Sequence, residues 1–148
     1  MSEFSVRVLA WDAAREAARP IRHRVFVEEQ GVPQELEWDE YDQAGLHVLV
    51  FEAGGDAIAT ARLSPRGRGT CYFNRLAVLK PWRGHGVGRL LMQTLLDHSQ
   101  RLAQTDLVLH AQTTATAFYE KFGFAGEGAP FFEAGIEHLT MRRSLRPA

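Results

Sequence analysis

The chain has 148 residues, 45% of them hydrophobic and 24% charged, with a formal net charge of -1. That length suits one ordinary domain able to bury its own core, and the near-neutral balance excludes a general nucleic-acid binder, which carries a clear basic excess. One cysteine, Cys71, excludes an internal disulfide and makes a reducing, cytoplasmic setting the expectation.

No apolar run approaches the ~20 residues of a membrane span, and neither a signal peptide nor a lipidation signal is expected at the ends. A single domain over residues 1–148 is the expected organisation. "SVRVLAW" alternates as a first strand. Asp12 is placed to cap the helix in "AAREAARPIRHRVFVEEQ", with Pro20 restarting it as a first-turn residue and "GVPQ" ending it. "ELEWDEYD" reads as a short helix or a loop. "LHVLVFEA", "DAIATARLSP" and "TCYFNRLAVL" are apolar runs separated by Gly54-Gly55 and by "RGRG", which predicts an antiparallel meander. "VGRLLMQTLLDHSQRLA" carries Val87, Leu90, Leu91, Leu95 and Leu102 at helical spacing. "TDLVLHA" predicts a strand, "TTATAFYEKFG" a short helix ending at Gly123, and "EHLTMRRSL" a final strand. The order predicts an α/β fold of the α+β type, a mixed and mostly antiparallel twisted sheet with helices on both faces.

The junction "LKPWRGHGVGRLLM" carries the chemistry. A strand running through a glycine-rich turn into a helix leaves the first helical N–H groups without partners, and with the helix dipole these attract an anion. Gly84, Gly86 and Gly88 remove the Cβ atoms that would hold a phosphate off the backbone, and Arg83 and Arg89 can add charge. A Walker loop requires Gly-Lys-Ser/Thr at its end, whereas Gly88 is followed by Arg89-Leu90. A dinucleotide fingerprint requires G-x-G-x-x-G, and this loop reads G-x-G-x-G. What remains is Arg-x-x-Gly-x-Gly over Arg83-Gly84-His85-Gly86-Val87-Gly88.

With that motif the sequence resembles the GNAT superfamily of N-acetyltransferases, which hold the pyrophosphate of acetyl-CoA on this loop. "QTTATAFYEKFGF" resembles the family's second signature, with Ala115, Phe118, Tyr119, Gly123 and Phe124 in place and Gln112 where the family often has Asn. "IRHRVFVEEQGVPQELEWDEYD" and "FFEAGIEHLTMRR" look like the ElaA-like branch, so the resemblance spans roughly residues 20 to 142.

The resemblance implies direct acyl transfer from acetyl-CoA to a primary amine in a ternary complex, with no covalent intermediate. It implies that Leu76, Ala77 and Val78 pair with the pantetheine arm, that one amide there polarises the thioester carbonyl, and that Arg83, Gly84, His85, Gly86, Val87, Gly88 and Arg89 hold the pyrophosphate. Gln112 and Phe118 fall at further cofactor positions, and Tyr119 matches the acid that protonates the departing thiolate. A base must also deprotonate the amine; Glu28, Glu29, Asn74 through water, His110 and His138 are candidates, with Glu29 first.

The acidic run Glu35, Glu37, Asp39, Glu40 and Asp42 is either a solvated face or an attraction for a cationic acceptor. Cys71 reads as core, and the six histidines show no metal-ligand spacing, so no metal is expected. The acceptor is a small-molecule or peptide amine, with no nucleic acid or membrane partner and a homodimer as a possibility. The alternative reading is a non-catalytic acyl-CoA-binding sensor, against which an acid at the sulfur argues.

Overall fold

A computed structural model describes residues 3–146. Seven strands form one sheet in the order β1-β2-β3-β4-β5-β7-β6. They are β1 (Ser5–Ala10), β2 (Leu46–Phe51), β3 (Ala57–Pro65), β4 (Thr70–Val78), β5 (Asp106–Gln112), β6 (Ala125–Glu133) and β7 (Ile136–Ser144). β2 to β4 form the expected antiparallel meander, β1 pairs antiparallel with β2, and only the β4–β5 pair is parallel. That pairing follows from the connection: the crossover from β4 to β5 is long enough to hold the helix α4 (Val87–Arg101).

β3 is buried from Ile58 to Ser64, which marks it as central and covered on both faces. Alternate residues of β2 show how the cover divides. Val48 and Val50 join Leu91, Met92 and Leu95 of α4 in the main core, whereas Leu49 packs with Trp11, Ala14 and Ala18 of α1 (Trp11–Arg22) on the opposite face. Cys71 is fully buried in the main core, and burial pushes its thiol up to about 11, as its reading as a core residue requires.

Three local expectations change. The N-cap of α1 is Ala10, with no side-chain cap, and Asp12 lies within the first turn, where its charge favours the helix dipole. Pro20 sits inside α1, and the chain runs on past Arg22 into a wide-turn π segment, His23–Glu29. A proline lacks the N–H that the ordinary ladder would use, and widened turns are a way in which helices re-register their bonds. "ELEWDEYD" forms two single turns, α2 (Gln34–Glu37) and α3 (Tyr41–Ala44). The remaining helix is α5 (Thr116–Glu120), preceded by a 3-10 turn at Thr113–Ala115.

β6 has no counterpart among the strands read from the sequence. Its segment "AGEGAPFFE" carries two glycines and a proline, and its pairing with β7 is interrupted between Glu127 and Phe131. An edge strand needs only one hydrogen-bonded side, so it tolerates residues that a central strand would reject.

Candidate active site

β4 and β5 pair only from Thr70 to Phe73 against Asp106 to Leu109. Beyond that point they separate, and β4 contains the cause. Between the pairs Thr60–Ala77 and Arg62–Asn74 it places Arg75 and Leu76 opposite the single residue Ala61. This is a bulge with Arg75 at φ 58°, and bulges bend a strand and release its ladder. The left-handed conformation of a non-glycine residue costs about 1–2 kcal/mol, so packing must hold it. Arg75 donates from Nε to the Glu37 carbonyl (2.8 Å) and from Nη2 to Asp39 (3.2 Å).

The separation opens a cleft of ≈ 560 Å³ whose walls include Phe26, Asn74, Leu76, His110, Gln112 and Tyr119. Leu76 on β4 lines it, and from there through Ala77 and Val78 β5 no longer supplies partners to the strand. Ala77 turns its side chain into a small core with Ile21 and Val25. At one end Gln112 donates to Gln30 (2.9 Å), tying the end of β5 to the residue that closes the π segment.

After β4 the chain makes a 3-10 turn, Lys80–Trp82, and enters α4 through Gly86 at φ 81°. No side chain caps α4, so the amides of Val87, Gly88 and Arg89 have no intrahelical acceptor. The Val87 side chain is buried in the core, while Gly84, His85, Gly86 and Arg89 are exposed. The glycines serve different ends. Gly84 (φ 82°) and Gly86 adopt the left-handed region, but Gly88 makes room for a ring: a Cβ there would lie 3.3 Å from Phe118 Cζ. Phe118 thereby fastens α5 against the first turn of α4, and its ring stands 5.1 Å from that of Tyr119.

Tyr119 is half-buried on the cleft wall, and burial pushes its hydroxyl up to about 12. The phenol therefore keeps its proton at any ordinary pH. Glu29 is not among the residues lining the cleft. Its carboxylate accepts from Arg83 Nη2 (2.8 Å), while Arg83 Nε donates to the Val78 carbonyl (2.9 Å). Arg83 is thus a brace between the end of β4 and the π segment, and its charge is met by Glu29 instead of adding to the loop.

The acidic run meets a different fate from either one foreseen for it. Arg22, 1% exposed, donates to Glu37 from Nε and to Asp42 from Nη1 (2.7 Å) and Nη2 (3.0 Å). Arg62, also 1% exposed, reaches Asp39 (2.7 Å), Asp42 (2.8 Å) and Asn74 Oδ1 (2.8 Å). Three of the five acids are therefore spent on three arginines and cannot act as a free anionic wall. Burial alone would raise the pKa of Asp39 and Asp42, but the adjoining guanidiniums outweigh it and both lie below the usual carboxylate range. Breaking one member of such a network leaves uncompensated charge and costs about 3–5 kcal/mol.

On the far wall His110 faces Glu133 (Nδ1 to Oε2, 3.2 Å), with the Tyr72 and Phe131 rings edge-on to the imidazole at 5.9 and 5.1 Å. The hydrogen bond from His110 is the main reason that Glu133 is held below its ordinary value. His138 lines the same wall, its Nδ1 directed to the Ile136 carbonyl (2.7 Å).

Sequence reasoning missed Arg62, Arg66, Tyr72, Arg75 and Glu133 as cleft residues. An arginine in the middle of an otherwise buried strand was the available signal for Arg62, since it demands acidic partners. Glu133 was hidden with β6.

A profile of the acetyltransferase (GNAT) domain matches residues 10–145. The chain belongs to the GNAT acetyltransferase family. Over 145 residues it is 31% identical to protein YyaT of Bacillus subtilis, covering 96% of this chain and 97% of that one. It is 30% identical to ElaA of Escherichia coli over 84% of each chain. The crystal structure of ElaA matches with a TM-score of 0.85 and 25% identity over 95% of this chain and 99% of that one. That of an acyl-CoA N-acyltransferase from Pseudomonas aeruginosa matches with a TM-score of 0.86 and 28% identity over 95% and 99%. The GNAT chain falls in the ElaA-like branch, and it is an acyl-CoA-dependent N-acyltransferase with an amine acceptor.

Proposed function

We propose that this GNAT enzyme transfers an acetyl group from acetyl-CoA to a primary amine by direct attack in a ternary complex. The observation that carries the reading is the parting of β4 and β5 at Asn74, which opens a cleft walled by Leu76 and Tyr119, while the strand so freed continues through Val78 towards the uncapped start of α4. The pyrophosphate would rest on the amides of residues 84–89, and the pantetheine arm would pair with the free edge at Leu76–Val78 as an added strand. A main-chain amide on that edge would stabilise the oxyanion as the amine attacks.

Tyr119 supplies the proton for the departing CoA thiolate. Its raised pKa keeps the hydroxyl protonated at neutral pH, so a proton is in place when the thiolate departs. For the base, the geometry favours His110 over Glu29. In the tautomer whose Nδ1–H donates to Glu133, Nε2 carries the lone pair that takes the proton of the amine. Glu133 then stabilises the imidazolium formed.

The test is a CoA-release assay with acetyl-CoA and longer acyl-CoAs against a panel of amines. Turnover that needs an amine and prefers the acetyl donor is expected. Tight acetyl-CoA binding without turnover on any amine would instead make the protein an acyl-CoA sensor.

A further inference from the structure

Three guanidiniums line the cleft: those of Arg62, Arg66 and Arg75. Two are already matched, Arg62 by Asp39 and Asp42 and Arg75 by Asp39. Arg66 has no carboxylate partner among the described residues. Its one side-chain hydrogen bond runs from Nε to Ser64 Oγ at 3.3 Å, which leaves both terminal NH2 groups unused.

Arg66 is nevertheless not a loose surface side chain. Its guanidinium carbon lies 3.7 Å from the centroid of the Tyr41 ring and 4.1 Å from that of Tyr72. It is clamped between two aromatic faces, one from α3 and one from β4. A guanidinium stacked in this way keeps its in-plane N–H fork open, and that fork matches the two oxygens of a carboxylate. The conformational freedom that an arginine normally loses on binding is here already restricted by the stack.

The position of the clamp relates it to the chemistry. Tyr72 and Asn74 share a face of β4, two residues or about 7 Å apart along the strand. The same Tyr72 ring makes a T-shaped contact, 5.9 Å between centroids, with His110, the residue proposed above as base. An acceptor reaching from His110 past Tyr72 would therefore present an amine at one end and meet an unmatched cation at the other.

We propose that Arg66 binds a carboxylate of the acceptor, so that the substrate is an amino acid or similar amine bearing a carboxylate. This inference rests on the acyl-transfer reading for the amine end, but the anion site can be tested apart from it. A carboxylate is the better match than a phosphate dianion, because Arg62 and Arg75 are already neutralised and a single monocation remains.

The experiment uses matched pairs of amino acids and their carboxamides, which differ only in the charge presented to Arg66. Acetyl-CoA turnover should favour the acids at least 10-fold in kcat/KM, mainly through KM. Arg66→Gln should collapse that ratio to about one, and Arg66→Lys, which keeps the charge but loses the stacked fork, should give an intermediate value. Calorimetric titration of the N-acetylated acids and amides, the products, gives a readout that does not need turnover. Wild-type protein should bind the acids more tightly, and Arg66→Gln should not. Equal use and equal binding of acid and amide, a ratio unaltered by Arg66→Gln, or a preference for phosphorylated amines over the carboxylates would each overturn the proposal. Product binding as expected without any turnover would leave the carboxylate site standing and refute the catalytic reading alone.

Discussion

The two ends of the proposed site are made of different materials. At the α4 end the reactive surface is main chain: an uncapped helix start, two left-handed glycines and the free edge of β4 beyond Phe73. At the other end it is side chain, a block in which Arg22, Arg62 and Arg75 consume Glu37, Asp39 and Asp42. In the function proposed, backbone would recognise what every donor molecule shares, which needs few side chains. The side-chain end positions α2, α3 and the bulge of β4 against one another, and in the function proposed it is there that the acceptor would be chosen.

The comparison breaks most visibly if the charged block tolerates damage. Arg22→Leu leaves Glu37 and Asp42 without their principal partner in a buried place, and a loss of about 3–5 kcal/mol in unfolding free energy is expected by chemical denaturation. Unchanged stability would mean that the block is solvated and adaptable. At the proposed catalytic centre, Tyr119→Phe removes one hydroxyl from the wall and should lower kcat by about 10²–10⁴-fold, the range of general acid catalysis. Because burial pushes this hydroxyl up to about 12, the deficit should stay constant between roughly pH 7 and pH 10. A deficit that closes as the pH rises over that interval would assign the proton to another group.

The backbone end should respond more mildly in stability and more strongly in affinity. Gly86→Ala forces a Cβ into the left-handed region at φ 81°, which costs about 1–2 kcal/mol. Acetyl-CoA affinity by calorimetry should fall further than stability does, because the amides of the first turn must shift. The smallest effect is the acid response of the charged block. Asp39 and Asp42 have folded pKa values below their unfolded ones, so their stabilisation is complete above the unfolded value and is lost as the pH falls through the folded value. The denaturation midpoint should therefore hold from neutral pH down to about pH 4 and decline only below it.

The same contrast explains what could be read from the sequence. Glycine spacing between Arg83 and Gly88 reports backbone conformation directly, because few other residues accept the left-handed region, and the loop and the strand before it were legible for that reason. The signature around Tyr119 singled out a residue that the structure puts on the cleft wall. The role of Gly88 was not, since only the folded chain brings the Phe118 ring against it. Nor was the pairing of the acidic run, whose partners Arg22, Arg62 and Arg75 come from one helix and two strands. Glu29 looked free in sequence, and only the approach of Arg83, 54 positions away, takes it out of the cleft. The pattern within one element reports its own geometry, while charges that meet across elements leave no local trace.

A crystal structure of the protein with coenzyme A tests the central claim most directly. The account requires the diphosphate against the amides of residues 84–89, the pantetheine arm along Leu76–Val78, and the sulfur within hydrogen-bonding distance of the Tyr119 hydroxyl. Coenzyme A bound away from the gap between β4 and β5, or with its sulfur remote from Tyr119, would contradict it.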